Sequence, residues 1–229
     1  MLTIENLTVC YKKQEPVLKG LNLSMETGKV HGFAGLNGAG KTTLLSAIYG
    51  FIAPTAGQIA YNNQPLKRRD IAYLEAENYF YPYMTGGEYL SLFPEGKAVF
   101  DIERWQQLFA LPPDEITENY STGMRKKLAL LAVLKQDKPI LILDEPFNGL
   151  DLESSFLLTT ILEQLQSKGT TLIITSHIYE SLTGCCNHIH YLSDGIIKHS
   201  YPKEAFHTLK EQLQNAIEQQ AGQLISQLL

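Results

Sequence analysis

Nine consecutive residues, Gly35-Leu36-Asn37-Gly38-Ala39-Gly40-Lys41-Thr42-Thr43, combine glycines, a lysine and two hydroxyls in the order that handles phosphate. The apolar run around Val30–Ala34 precedes them, and Leu44, Leu45 and Ile48 follow on one helical face up to Gly50. This is G-x-x-x-x-G-K-T between a strand and a helix. Glycines let successive backbone N–H groups turn inward around an anion, and the helix N-terminus adds partial positive charge. Lys41 supplies a point charge for the β- and γ-phosphates, and the Thr42 hydroxyl suits Mg²⁺. Such a loop implies a nucleotide and leaves the reaction open.

Carboxylates narrow the reaction. Ile140–Leu143 form a continuous apolar run ending in Asp144-Glu145. That reads as a central parallel strand covered on both faces, and such sheets bind ligands at the carboxyl ends of their strands. Asp144 is placed to hold Mg²⁺ through water. Glu145, one residue on, points elsewhere and suits a general base in nucleotide hydrolysis. A second β-branched run, Gly169–Thr175, ends in Ser176-His177, which puts the imidazole in the same crevice beside the γ-phosphate. Finally, Tyr120-Ser121-Thr122-Gly123-Met124 opens a helical pattern with an apolar face at Leu128, Leu131 and Leu134. Ser121 reads as its cap, and a capped helix N-terminus is again an anion site, separate from the first. Arg125, Lys126 and Lys127 read as a solvated helix face.

These motifs, in this order over nearly the whole chain, resemble the nucleotide-binding subunit of an ATP-binding cassette (ABC) transporter. "GLNGAGKTT" looks like its Walker A loop, "ILILDE" like Walker B, and "NGLD" at Asn148–Asp151 like the D-loop. "YSTGM" looks like the LSGGQ signature, with Tyr for Leu, Thr for the first Gly and Met for Gln. The resemblance implies ATP and Mg²⁺ as cofactors and ATP hydrolysis coupled to transport. It makes Glu145 and His177 catalytic, assigns Thr42 and Asp144 to the metal, and has Tyr11 stack on adenine. Nucleotide contacts would come from Gly35, Leu36, Asn37, Gly38, Ala39, Gly40, Lys41, Thr42 and Thr43, with Ser121, Gly123 and Met124 acting from the other half of a shared site. Two subunits, identical or related, would stand head to tail. They would lie in the cytoplasm on the inner face of the membrane, held by separate integral membrane permease subunits. A non-transport ABC ATPase and a nucleotide-regulated binding module are the alternatives.

One departure is specific. A glutamine of the family, which touches metal and water, falls here at Ala76, between Glu75 and Glu77. Four aromatics follow, Tyr79, Phe80, Tyr81 and Tyr83, too dense for an ordinary solvent loop. They are expected to divide evenly between the protein's own core and a docking face for the membrane partner.

The elements needed to position these groups fit a mixed α/β fold: a P-loop NTPase with a mixed sheet core, an antiparallel β subdomain and an inserted α-helical subdomain. The whole of 1–229 reads as one ABC ATPase domain. Segments 1–75 and 136–200 form the nucleotide-binding core, 76–135 a helical insertion and 201–229 a C-terminal helix with Phe206, Leu209, Leu213, Ile217, Leu224 and Leu228 on one face. Gly57–Asn63 and Asp194-Gly195 read as hairpins. A formal net charge of −5 argues against a broad nucleic-acid surface, and no apolar run approaches a membrane span. No signal peptide is expected at the start. Cys10, Cys185 and Cys186 read as reduced thiols, with a metal site at His188 or His190 as a minor alternative.

Overall fold

The structure is a computed structural model and describes residues 1–11, 15–97, 99–214 and 218 of the 229. Two sheets organise it. The first is antiparallel and contains β1 (Leu2–Cys10), β2 (Pro16–Met25), β4 (Ala56–Tyr61) and the short β5 (Gln64–Pro65), in the order β2-β1-β4-β5. Asn62 and Asn63, both with positive φ, close the β4–β5 hairpin. Asparagine tolerates that conformation, which is why a two-residue turn forms here.

The second sheet has six strands: β3 (Val30–Ala34), β6 (Ile71–Leu74), β7 (Ile140–Asp144), β8 (Thr171–Thr175), β9 (His188–Ser193) and β10 (Ile196–Pro202). Its order is β10-β9-β3-β8-β7-β6, and every pairing is parallel except β9–β10. Asp194 and Gly195, with positive φ, turn that final hairpin. β3, β7 and β8 are buried at every position. Their alternation still matters, because successive side chains enter different cores. Ile140, Ile142 and Ile173 face the antiparallel sheet and α1 (Lys41–Tyr49), whereas Leu141, Leu143, Leu172 and Ile174 face the helices on the other side.

Those helices are α2 (Gly86–Ser91), α3 (Ile102–Phe109), α4 (Thr122–Leu134), α5 (Leu152–Ser167) and α6 (Tyr179–Cys185). Thr85 caps α2 with a reciprocal Glu88 bond, Asp101 caps α3, Ser121 caps α4 and Asp151 caps α5. Each cap satisfies an N–H that the helix leaves free, at about 1 kcal/mol apiece. The chain is also helical over 206–214, where Phe206 and Leu209 are buried. Ile217, Leu224 and Leu228 of the expected C-terminal face lie outside the described residues.

Three histidines meet between β3 and β9. His31 pairs with His188 in register, and its ring stacks on both His188 and His190. Among the described residues no group of three His, Cys, Asp or Glu side chains is arranged to hold a metal. In place of a metal site, His31 and His190 are hydrogen-bonded to each other and His188 joins them by ring stacking.

Candidate active site

The loop between β3 and α1 carries its function in its backbone. A Cβ on Gly35 would meet the carbonyl oxygen of Leu192 at 2.3 Å, so no other residue fits without moving β9. Gly38 and Gly40 adopt φ of 80° and 104°, which lets the chain fold around a central cavity before α1 begins. Lys41 is 8% exposed, and its Nζ donates to the carbonyls of Gly35 (2.8 Å) and Leu36 (3.3 Å). Burial lowers its pKa, while Glu145 and Asp144 oppose that shift. The Thr42 residue is exposed to the same cleft, whereas Leu44, Leu45 and Ile48 anchor α1 in the core.

Asp144, at the last position of β7, is 4% exposed. Its Oδ1 accepts from the Thr175 hydroxyl, and its Oδ2 lies 3.5 Å from the Tyr73 hydroxyl. Thr175 also accepts from the backbone N–H of Glu145 (3.1 Å), so one residue at the end of β8 orients both acids. Glu145 takes φ 49°, the left-handed region, which turns its side chain away from that of Asp144. Its Oε2 accepts from the His177 backbone N–H (3.1 Å), and its Oε1 lies 3.2 Å from His177 Nε2. That oxygen is buried and makes no well-directed hydrogen bond among the described residues, so it retains capacity to accept a proton.

A cleft of about 460 Å³ joins these groups: Gly38, Gly40, Lys41 and Thr42 on one wall, Asp144, Glu145 and His177 on another, with Ala76 at its edge. The donor set fits a nucleotide with a hard divalent cation. A glycine-rich turn and an ammonium suit phosphate oxygens, and one hydroxyl with one carboxylate would suit the sparse protein shell of Mg²⁺.

Ser121, Gly123 and Met124 sit elsewhere. They form the first turn of α4, where the Ser121 Oγ accepts from the Met124 N–H (3.2 Å), and they do not line the cleft. This turn rests on the Asn148–Asp151 segment: a Cβ on Gly123 would meet Gly149 O at 3.3 Å. Tyr11 lies beside the loop, its hydroxyl 3.2 Å from that of Thr43, and it does not line the cleft either. Ala39 is buried, its N–H donating to Leu36 O (3.2 Å), and Asn37 lines the cleft.

A model of the ABC transporter family matches residues 18–148, more than half of the chain. The chain belongs to the ABC transporter family. An uncharacterised ABC transporter ATP-binding protein of Nostoc is 33% identical over 195 residues, 78% of this chain and 57% of that protein. The manganese transport system ATP-binding protein of Listeria innocua is 28% identical over 90% of this chain and 92% of its own. Among solved structures, an ATP-binding subunit of an ABC transporter superposes with a TM-score of 0.80 at 26% identity, covering 88% of this chain and 90% of that one. The chain therefore spans little more than half the length of some relatives and nearly all of others. The fold of this ABC protein is the expected P-loop α/β architecture, with mixed and antiparallel sheets plus helices.

Two expectations need correction. Lys126 is not on a solvated face; it is 7% exposed and its Nζ points inward. Arg125 is also engaged, donating to the carbonyls of Thr117 (3.0 Å) and Glu118 (2.8 Å). The aromatic run does not divide evenly either. Phe80 packs against Tyr89 at 4.6 Å between ring centroids, whereas Tyr79, Tyr81 and Tyr83 are 70%, 53% and 83% exposed. Pro82 and the positive φ of Tyr83 break the alternation that would turn a second ring inward. Thr175 and Tyr73 were missed as site residues: a terminal threonine and a tyrosine in apolar strands carry no local signal of a nearby carboxylate.

Proposed function

We propose that this chain is an ATP-binding and ATP-hydrolysing subunit of a transporter, working as a head-to-tail pair under separately encoded membrane subunits. The observation that carries this reading is the Glu145 carboxylate, held by His177 on the wall of the cleft opposite Lys41. Glycine N–H groups and Lys41 bind and orient the phosphates. Thr42 and Asp144 would hold Mg²⁺, which when bound supplies charge neutralisation on the phosphate oxygens. Glu145 accepts a proton from the attacking water at its Oε1, and His177 keeps that carboxylate aimed while contacting the γ-phosphate. Tyr11 would stack on the adenine from its place beside Thr43.

The paired arrangement is supported by the separation of the two anion sites on one chain. Ser121, Gly123 and Met124 do not line the subunit's own cleft, so they are available to the nucleotide of a second copy or a related ATPase subunit. A membrane partner is supported by the exposed tyrosines. Tyr79 and Tyr81 line a groove of about 360 Å³ with Leu92 and Phe93. Such aromatics beside charged Glu75 suit a protein interface. No helix among the described residues is long and apolar enough to cross a membrane. Glu145→Gln tests the reading. The amide keeps the shape but takes no proton, so turnover should fall by at least about a hundredfold with ATP binding retained. A near wild-type rate overturns it.

A further inference from the structure

Lys126 is a buried cation whose hydrogen-bond acceptors are all backbone carbonyls; burial lowers its pKa, and the nearby Asp144 and Glu145 carboxylates oppose that shift. It lies in the second turn of α4, and its Nζ donates to the carbonyls of Ala76 (3.2 Å), Glu75 (3.3 Å) and Asp144 (3.5 Å). An ammonium has three protons, so these acceptors saturate it. The carbonyls belong to two pieces of chain that edge the cleft: the turn after β6, where Ala76 lines the wall, and the end of β7, which carries Asp144. Lys126 itself belongs to a third, the helix that starts at Ser121.

Keeping an ammonium away from water is unfavourable, and an apolar residue would fill this space as Leu128 and Leu131 do nearby. Lys135, at the other end of α4, shows what an ordinary buried lysine does. Its Nζ donates to Leu90 O (3.1 Å) and Phe93 O (2.9 Å) and closes the C-terminal end of α2, away from the cleft. Lys126 closes no helix. Its acceptors are a turn and a strand end, and the turn's residue at the cleft, Ala76, has only a methyl group with which to place itself.

We propose that Lys126 is a positioning residue for hydrolysis. It fixes the backbone of Glu75–Ala76 against the end of β7, so that the wall beside Asp144 and Glu145 stands at a set distance. It also ties that wall to the helix that presents Ser121. The proposal rests on the hydrolytic reading above and adds a residue to it.

The test compares Lys126→Met, similar in length but without donors, with Lys126→Arg and with Lys135→Met as a structural control. The readouts are kcat and KM for ATP, the Mg²⁺ dependence of binding of a fluorescent ATP analogue, and Tm. Lys126→Met should lower kcat by about tenfold or more with KM within about threefold, because a wall misplaced by a fraction of an ångström disturbs geometry more than binding. It should also raise the Mg²⁺ concentration for half-maximal nucleotide binding, and Lys126→Arg should recover part of both effects. Lys135→Met should lower Tm and leave the Mg²⁺ dependence unchanged. Should Lys126→Met be insoluble, Lys126→Gln, with two donors on a shorter arm, carries the same expectation. Wild-type kcat and Mg²⁺ dependence in the Lys126 variant would overturn the inference, as would equal effects of the two Met variants once matched for Tm. A wild-type protein without turnover would instead overturn the proposed function, and the Mg²⁺ dependence of binding would still judge Lys126.

Discussion

Acid should weaken this protein through two buried rings. His31 Nε2 lies 2.9 Å from the carbonyl of Glu26, which only accepts, so that nitrogen carries the proton. His31 Nδ1 is then an acceptor for His190 Nε2 at 3.2 Å, and His190 Nδ1 accepts from the Ser200 hydroxyl at 2.8 Å. Both rings are neutral in this chain of bonds; protonating His31 at Nδ1 sets N–H against the His190 N–H, and protonating His190 at Nδ1 makes the Ser200 hydroxyl turn to accept. Burial pushes His31 down to about 4 and His190 to about 3, from an ordinary 6.5. For a depressed histidine the stability is fully present above 6.5 and is lost as the pH falls from there toward the folded value. At pH 5 both rings remain neutral in the folded chain, while in the unfolded chain each sits 1.5 pH units below its ordinary value. At about 1.36 kcal/mol per unit that is about 2 kcal/mol per ring and about 4 for the pair, against a typical total of about 5–15. Urea unfolding at pH 7.5 and pH 5.0, for wild type and His190→Gln, measures it. The variant should lose about 2 kcal/mol less than wild type between the two pH values, whatever its absolute stability. Equal losses in the two proteins would refute the argument.

Other outcomes concern the surfaces. With Mg²⁺-ATP, the Glu145→Gln protein should shift from monomer toward dimer in size-exclusion chromatography. Adding Gly123→Asp should reverse the shift by setting a carboxylate against the γ-phosphate, and an unchanged dimer would count against the shared site. Tyr81→Ala and Tyr83→Ala should weaken membrane pull-down with Tm nearly unchanged, because both rings are more than half exposed. Phe80→Ala should instead lower stability by about 2 kcal/mol, less than the roughly 3–5 of a fully buried ring. A large Tm drop in the tyrosine variants would sink the docking face.

The loop from Gly35 to Thr43 was legible because its chemistry is local: backbone shape and one lysine do the work within nine residues. Asp144, Glu145 and His177 were legible as the polar ends of apolar strands, since a parallel sheet gathers such ends on one edge. Lys126 was not legible. A lysine between Arg125 and Lys127 reads as solvent-facing, and only the return of the β6 turn over α4 gives it acceptors. The histidine cluster was half visible. His188 and His190 share a face of β9, but their company with His31 depends on the β3–β9 register. The tyrosines turned outward because Pro82 and a left-handed Tyr83 impose local geometry that aromatic content alone does not reveal.

The left-handed backbone at Glu145 has its own consequence. A residue with a Cβ in that conformation carries about 1 kcal/mol or more of strain, which glycine would not. The bonds that Glu145 donates to Thr175 and accepts from His177 hold it there, so the fold maintains an awkward hinge to aim one carboxylate. Durability and chemistry thus pull this position in opposite directions. With Glu145 as the proposed base, a version of the protein hardened by selection for folding alone would give up its carboxylate here early, keeping the glycine-rich loop intact while the proposed catalyst became a mere receptor.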